Sequence, residues 1–156
     1  MRPKKIIVNT SDGKYPILIG KNVSFDLGNL LRQNNIFSSK ILLVINKNVP
    51  KTMVRKIKIF LKKKKYFIYL KKNEKNKSQK SVDKIIDVLL KNNFNRSDCL
   101  ISIGGGIIGD ISAYAASIFK RGLLYVNVPT TLLAQVDSSI GGKTGINSKF
   151  GKNLIG

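Results

Sequence analysis

Histidine and tryptophan are absent from the 156 residues, cysteine occurs once, and only 8 acidic residues stand against 29 lysines and arginines. Without histidine the chain lacks the commonest general base and zinc ligand, so nucleophilic catalysis of the Ser-His or Cys-His kind has no base here. A single cysteine excludes a disulfide within the chain. Cys99 lies in the apolar run Cys99-Leu100-Ile101-Ser102-Ile103, which suits a buried structural thiol. No apolar run reaches the roughly 18 residues of a membrane span, and the start lacks the longer apolar stretch of a secretory signal. The expectation is a cytoplasmic protein with no membrane partner.

What is present fits one globular domain, residues 1–156, with 42% hydrophobic content and a formal charge of +21. Clustered cations bind polyanions by counterion release. Here the lysines run along the whole chain beside abundant Asn and Ile, all with A/T-rich codons, so a solvated surface is favoured over a nucleic-acid partner. The run Lys62-Lys63-Lys64-Lys65 is placed to keep a helix end in water, at the negative end of its dipole.

Residues 5–8 and 15–19 are β-prone and separated by the turn residues Ser11-Asp12-Gly13-Lys14, which predicts paired strands. Residues 25–34 carry apolar side chains at 27, 30 and 31, a weak helical pattern, and the unbroken run 41–45 reads as a buried strand. Pro50 starts a helix over 51–61 with Met53, Ile57, Phe60 and Leu61 on one face, and 66–70 forms the next strand. Residues 71–80 are a polar loop. Val82, Ile85, Ile86, Leu89 and Leu90 then mark the clearest helix. A strand at 99–103, a helix from 107 to about 119, and a strand at 124–128 complete the alternation. Strands spaced by helices, with continuous apolar runs, predict an α/β fold: a Rossmann-like parallel sheet flanked by helices.

Ligands of such sheets bind at the carboxyl ends of strands, where two polar stretches fall. In the first, Gly104, Gly106 and Gly109 satisfy G-x-G-x-x-G between a strand and a helix. Glycines let a pyrophosphate approach the backbone, and the helix N-terminus offers it free N–H groups and partial positive charge. Two details depart from an ordinary dinucleotide fold. The motif follows two earlier strand–helix units, and nothing acidic lies between Asp110 and Asp137 to take the ribose. Asp110, on the first helical turn, either stabilises the helix N-terminus or hydrogen-bonds a cofactor. The second stretch, after Pro129, includes Gly142-Lys143-Thr144. A nucleotide-hydrolase loop needs glycine where Asp137 stands, so that reading fails on spacing. A glycine-rich loop carrying Lys143, with Lys152 nearby, suits a phosphate or carboxylate.

The stretch GGGIIGDISAYAASIFKRGLLYVNVPTTLLAQVDSSIGGKTGINSKFGKNLIG, residues 104–156, closely resembles the 3-dehydroquinate synthases of the sugar-phosphate cyclase family, and the likeness extends more loosely back to about Ile6. The resemblance implies NAD held by Gly105, Gly106, Ile107, Ile108, Gly109 and Asp110, by Thr130 and Thr131, and on the adenosine side by Glu74 and Lys77 with Asn73. Asn46 is a weaker adenosine candidate. Lys143 and Lys152 would touch both cofactor and substrate, Asp137 and Asn153 would orient the substrate, and Arg121 would bind phosphate across a homodimer interface. Lys72-Asn73 departs from the Asp-Gly common in the family.

The implied reaction converts the phosphorylated substrate 3-deoxy-D-arabino-heptulosonate 7-phosphate to 3-dehydroquinate and phosphate, in aromatic amino acid biosynthesis. An alcohol is oxidised, phosphate leaves by β-elimination, the ketone is reduced again by the same cofactor, and an aldol step closes the ring. The family also uses a divalent metal, zinc or cobalt, held by a glutamate and two histidines of a second, helical domain. This chain has no such ligand set, so the expectation is a first half without the metal-binding domain, inactive alone. Two other readings stand beside it. One is a related cyclase or metal-dependent alcohol dehydrogenase sharing the NAD half, and the other is a non-catalytic basic binding protein.

Overall fold

The computed structural model describes residues 3–10 and 13–156, apart from the side chain of Phe60. The chain gathers into two compact units, one of residues 1–36 and 52–62, the other of residues 37–51 and 63–156.

In the first unit, strands β1 (Lys4–Thr10) and β2 (Gly13–Ile19) pair antiparallel with Ile6 opposite Ile17. Ser11 and Asp12 of the expected turn lie outside the described residues. A 3-10 turn over Val23–Asp26 leads into α1 (Leu27–Gln33), which buries Leu27, Leu30 and Leu31 as its periodicity predicts. Helix α2 (Lys51–Phe60) is followed by buried Leu61. Its buried positions are Val54 and Ile57, with Met53 half-buried, so the face is rotated slightly from the expected one, and the Phe60 side chain lies outside the described residues.

The second unit is built on four parallel strands in the order β4-β3-β5-β6. They are β3 (Lys40–Asn46), β4 (Lys64–Leu70), β5 (Cys99–Gly104) and β6 (Leu124–Pro129). Side chains alternate between faces. Leu42, Val44 and Leu100 form one core with Val82, Ile85 and Leu89 of α3 (Gln79–Lys91) and Ile108, Ile111 and Ala115 of α4 (Gly106–Ile118). Ile41, Leu43, Ile45, Cys99, Ile101 and Ile103, on the other face, are equally closed to solvent. Burial of both faces is why these strands read as unbroken apolar runs. On α3 the inward stripe takes Ser81 and leaves Leu90 exposed, a small rotation from the sequence pattern. Desolvation pushes the Cys99 thiol up to about 12, with the neighbouring Asp98 charge adding to it, so the thiol is inert.

The amino ends of β3 and β5 are tied by Asp98, fully buried, which accepts from Ser39 Oγ, Lys40 N and Asn95 N at 2.8 Å each. Lys40 reaches the last carbonyls beyond α3, donating to Asn92 O at 2.9 Å and Asn93 O at 2.6 Å. Lys40 thus supplies a cation at the carboxyl end of α3. Of the run at 62–65, Lys62 and Lys63 lie exposed just past the end of α2, as expected, while Lys64 and Lys65 begin β4. At the far end of α4, Lys120 and Arg121 adopt left-handed φ of 48° and 64°, turning the chain toward β6. Beyond β6 the chain makes a helical turn, π-type over Ala134–Ser138, and then an antiparallel hairpin of β7 (Ile146–Ser148) and β8 (Gly151–Ile155). Neither was foreseen in the glycine- and hydroxyl-rich sequence. No helix of the described residues is long and apolar enough to cross a membrane.

Candidate functional site

The strand order sets the site. From β3 the chain crosses to β4 on one side and then returns to β5 on the other, so a crevice opens at the carboxyl ends of β3 and β5. Buried Asn46 ends β3, and its Oδ1 accepts from Asn48 N at 2.9 Å. Gly104 ends β5. A Cβ on Gly104 would lie 2.9 Å from Ile108 Cβ and 3.2 Å from Asn46 Cβ. Gly105 approaches Thr131, Gly106 lies 3.0 Å from Ser138 Oγ in the same sense, and Gly109 is 3.2 Å from Asn127 Nδ2. None of the four has a positive φ. Close approach, not backbone freedom, is what demands glycine here.

Helix α4 begins on this turn with Gly105 as its N-cap and no side chain capping it. Its first amides, those of Gly106 and Ile107, therefore have no acceptor within the helix. The amide of Ile108 turns to Gly105 O at 3.1 Å and its side chain enters the core, so it supports the turn from beneath. Thr130 N donates to Gly104 O at 2.8 Å, which joins the β6 end to the glycine turn, and Thr131 Oγ1 accepts from Ala134 N at 3.3 Å. A polar network that the sequence did not reveal lies below. Ser102 Oγ donates to Asn127 Oδ1 at 2.8 Å and lies 2.7 Å from Tyr125 Oη, which is 3.1 Å from Gly109 O. Burial drives the Tyr125 phenol well above its ordinary range, Ser102 offsets part of this, and the Asp110 charge adds to it. Its only visible signal was polar residues at alternate positions of the half-buried strand β6.

An open groove of about 540 Å³ is lined by Glu74, Lys77, Asn147 and the start of α3, and Lys77 joins it to α4 at Asp110. Asn73 caps its short 3-10 turn, accepting from Lys75 N at 3.0 Å, with an ordinary extended φ of −145°. The Asn73 position needs no glycine. Lys77 is only 7% exposed, and its ammonium meets Asp110 Oδ2 and Asn153 Oδ1 at 2.5 Å each. Because α4 starts at Gly106, Asp110 lies past the first helical turn. Its partner is the Lys77 ammonium and not the helix terminus, since the dipole's influence fades beyond that turn. Asn147 Nδ2 donates to Glu74 Oε1 at 2.8 Å.

Lys143, after Gly141 and Gly142 with φ of 88° and 67°, pairs with Asp137 at 3.0 Å, both well exposed. Lys152, on β8, is exposed and forms no ion pair among the described residues. The structure thus gathers Asn73, Glu74, Lys77, Asp110 and Asn153 in one place, and Gly105, Gly106, Ile107 and Gly109 with Thr130 and Thr131 in another. Arg121 is apart, at the opposite end of α4, roughly 20 Å from the glycine turn for 13 residues at 1.5 Å each. Among the described residues no three of His, Cys, Asp or Glu come together to hold a metal ion. The donors among the described residues do not fit the divalent metal.

Residues 67–156 match the family described as 3-dehydroquinate synthase N-terminal. The 3-dehydroquinate synthase of Pelagibacter ubique (strain HTCC1062) is 56% identical over 153 residues, covering 97% of this chain and 42% of the relative. A crystal structure of 2-deoxy-scyllo-inosose synthase, complexed with carbaglucose-6-phosphate, NAD+ and Co2+, superposes with a TM-score of 0.88 at 22% identity, over 98% of this chain and 42% of that one. A 2-epi-5-epi-valiolone synthase from Streptomyces hygroscopicus subsp. jinggangensis 5008, with NAD+ and Zn2+ bound, gives 0.70 at 29% identity, over 76% of this chain and 34% of that one. The chain therefore spans less than half the length of the relatives it resembles.

Proposed function

The chain belongs to the 3-dehydroquinate synthase family, in its N-terminal part, and from that premise we propose that it is the NAD-holding half of an enzyme making 3-dehydroquinate and phosphate from 3-deoxy-D-arabino-heptulosonate 7-phosphate. The observation that carries this is the uncapped start of α4 at the switch point, with the turn that bears Glu74 tied to α4 through Lys77 and Asp110.

When bound, NAD supplies a transient hydride acceptor for a substrate alcohol. The residues of this chain do the holding. The free amides of Gly106 and Ile107 meet the pyrophosphate at the positive end of α4. Glu74 accepts from ribose hydroxyls in the groove, while Asn46 forms the crevice floor below. Thr130 and Thr131 flank the nicotinamide side, and the Lys77–Asp110 pair fixes the wall between the two ends. Lys143, Lys152 and Asn153 draw the anionic substrate toward the cofactor, with Asp137 holding Lys143 in place. This is positioning, which lowers a barrier by prepaying orientation. Arg121, too distant to serve its own crevice, meets phosphate in a second copy.

Isothermal calorimetry of the 156-residue chain with NAD tests the reading. One NAD per chain is expected, and Gly106→Val, which crowds Ser138 and covers the first amides of α4, should weaken it at least tenfold. No binding heat at millimolar NAD would refute the proposal.

A further inference from the structure

Asn147 was not singled out by its sequence, yet it joins both walls of the groove. Its side-chain amide donates to Glu74 Oε1 at 2.8 Å while its Oδ1 accepts from the backbone N of Asn153 at 3.0 Å. Its own backbone N donates to Lys77 O at 2.8 Å. Lys77 N in turn donates to Glu74 O at 2.9 Å, and the Lys77 ammonium meets Asn153 Oδ1 and Asp110 Oδ2. A ring results, in which the turn carrying Glu74, the hairpin β7–β8 and helix α4 are fastened together. Asn153 holds a left-handed φ of 56° at its place in the ring, a conformation Asn tolerates better than most residues.

We propose that Asn147 is a positioning residue for the dinucleotide, acting through Glu74 and Asn153. The proposal rests on the NAD reading above. An amide is needed because its two ends do opposite work. The NH2 group orients one carboxylate oxygen of Glu74, leaving the other for a ribose hydroxyl, and the carbonyl holds the backbone of the strand that presents Lys152 and Asn153. A side chain with acceptors alone would satisfy the second partner and repel the first. The charged groups around the pair are Lys75, Lys77, Lys80 and Lys149 in the groove, with Asp110 behind Lys77. A carboxylate at 147 faces Glu74 with acceptors alone and displaces it.

The test compares NAD affinity of the parent, Asn147→Asp, Asn147→Ala and the double variant Asn147→Asp/Glu74→Gln, with melting curves to confirm folding. Asn147→Asp should weaken NAD tenfold or more. Asn147→Ala should weaken it as well. The double variant exchanges donor and acceptor across the same contact, so it should bind more tightly than Asn147→Asp alone. A parent that does not bind NAD refutes the NAD reading itself. If the parent binds and Asn147→Asp matches it, or the exchange brings no recovery, Asn147 is not a positioning residue. Should Asn147→Asp not fold, an Asn147→Ala variant that folds and binds like the parent overturns the proposal equally.

Discussion

Single residues whose roles are structural decide whether the crevice has a frame at all. Asp98 is the clearest. Burial alone would raise its pKa, but the hydrogen bonds from Asn95 N, Ser39 Oγ and Lys40 N, with the Lys40 charge, outweigh it and hold the carboxyl below its ordinary value. Asn in its place can present a carbonyl to only one side, leaving an NH2 facing another donor. Asp98→Asn is therefore expected to cost about 2 to 3 kcal/mol near neutral pH, seen as a fall of roughly 5 to 10 °C in Tm. The sign of the pH dependence follows from the lowered pKa. The stabilisation is present above the ordinary carboxylate range and is lost as pH falls through the lowered folded value, so parent and variant should converge in acid. Melting curves of both at pH 3 and pH 7 check this, and an equal gap at the two values would count against it. Ser112 on α4 is the converse case, a fully buried hydroxyl without a hydrogen-bond partner among the described residues.

Between elements, the tightest fit is where β5 meets α4. Gly104→Ala places a methyl 2.9 Å from Ile108 Cβ, an atom fixed by its own backbone, so α4 must move away from β5. Overpacking of this kind costs about 1 to 3 kcal/mol, and moving α4 also moves the amides that face the crevice. Lower Tm together with weaker NAD binding is expected, and a variant with unchanged Tm would show that the junction has slack. At this scale the sequence was a good guide wherever burial is continuous or periodic. Residues 41–45 and 99–103 declared themselves because both faces of the sheet are closed, and Leu27, Leu30 and Leu31 because one stripe of α1 is buried. The hairpin β7–β8 was illegible, since only Ile146 on it is buried and its polar residues serve neighbours distant in the chain. The site was half legible for the same reason. Gly104 to Gly109 form a local motif, whereas the pairing of Lys77 with Asp110 and of Asn147 with Glu74 depends on chain segments brought together only by folding.

For the whole molecule, the imbalance of charge is the dominant fact. With 29 basic and 8 acidic residues, most cations have no carboxylate to meet. Some lie on aromatic rings instead, as Lys149 does 4.9 Å above Phe150, an arrangement worth about 0.5 to 1 kcal/mol at an exposed site. The acidic groups are correspondingly few where a metal would need them. The chain by itself is expected to release no phosphate from 3-deoxy-D-arabino-heptulosonate 7-phosphate with NAD and zinc, while still binding NAD. A phosphate-release assay at high enzyme concentration checks this, and turnover above the uncatalysed rate would mean the residues present suffice.

The ring around the groove also fixes an order of events. Its contacts join Lys77 to Asp110, Glu74 to Asn147 and Lys77 to Asn153, across 33, 73 and 76 residues, and closing such loops carries an entropic cost that adjacent turns avoid. The parallel sheet is finished at Pro129. A chain made from its amino end therefore possesses every strand of that sheet before the residue that knots the groove has been added, and the framework precedes the groove's second wall.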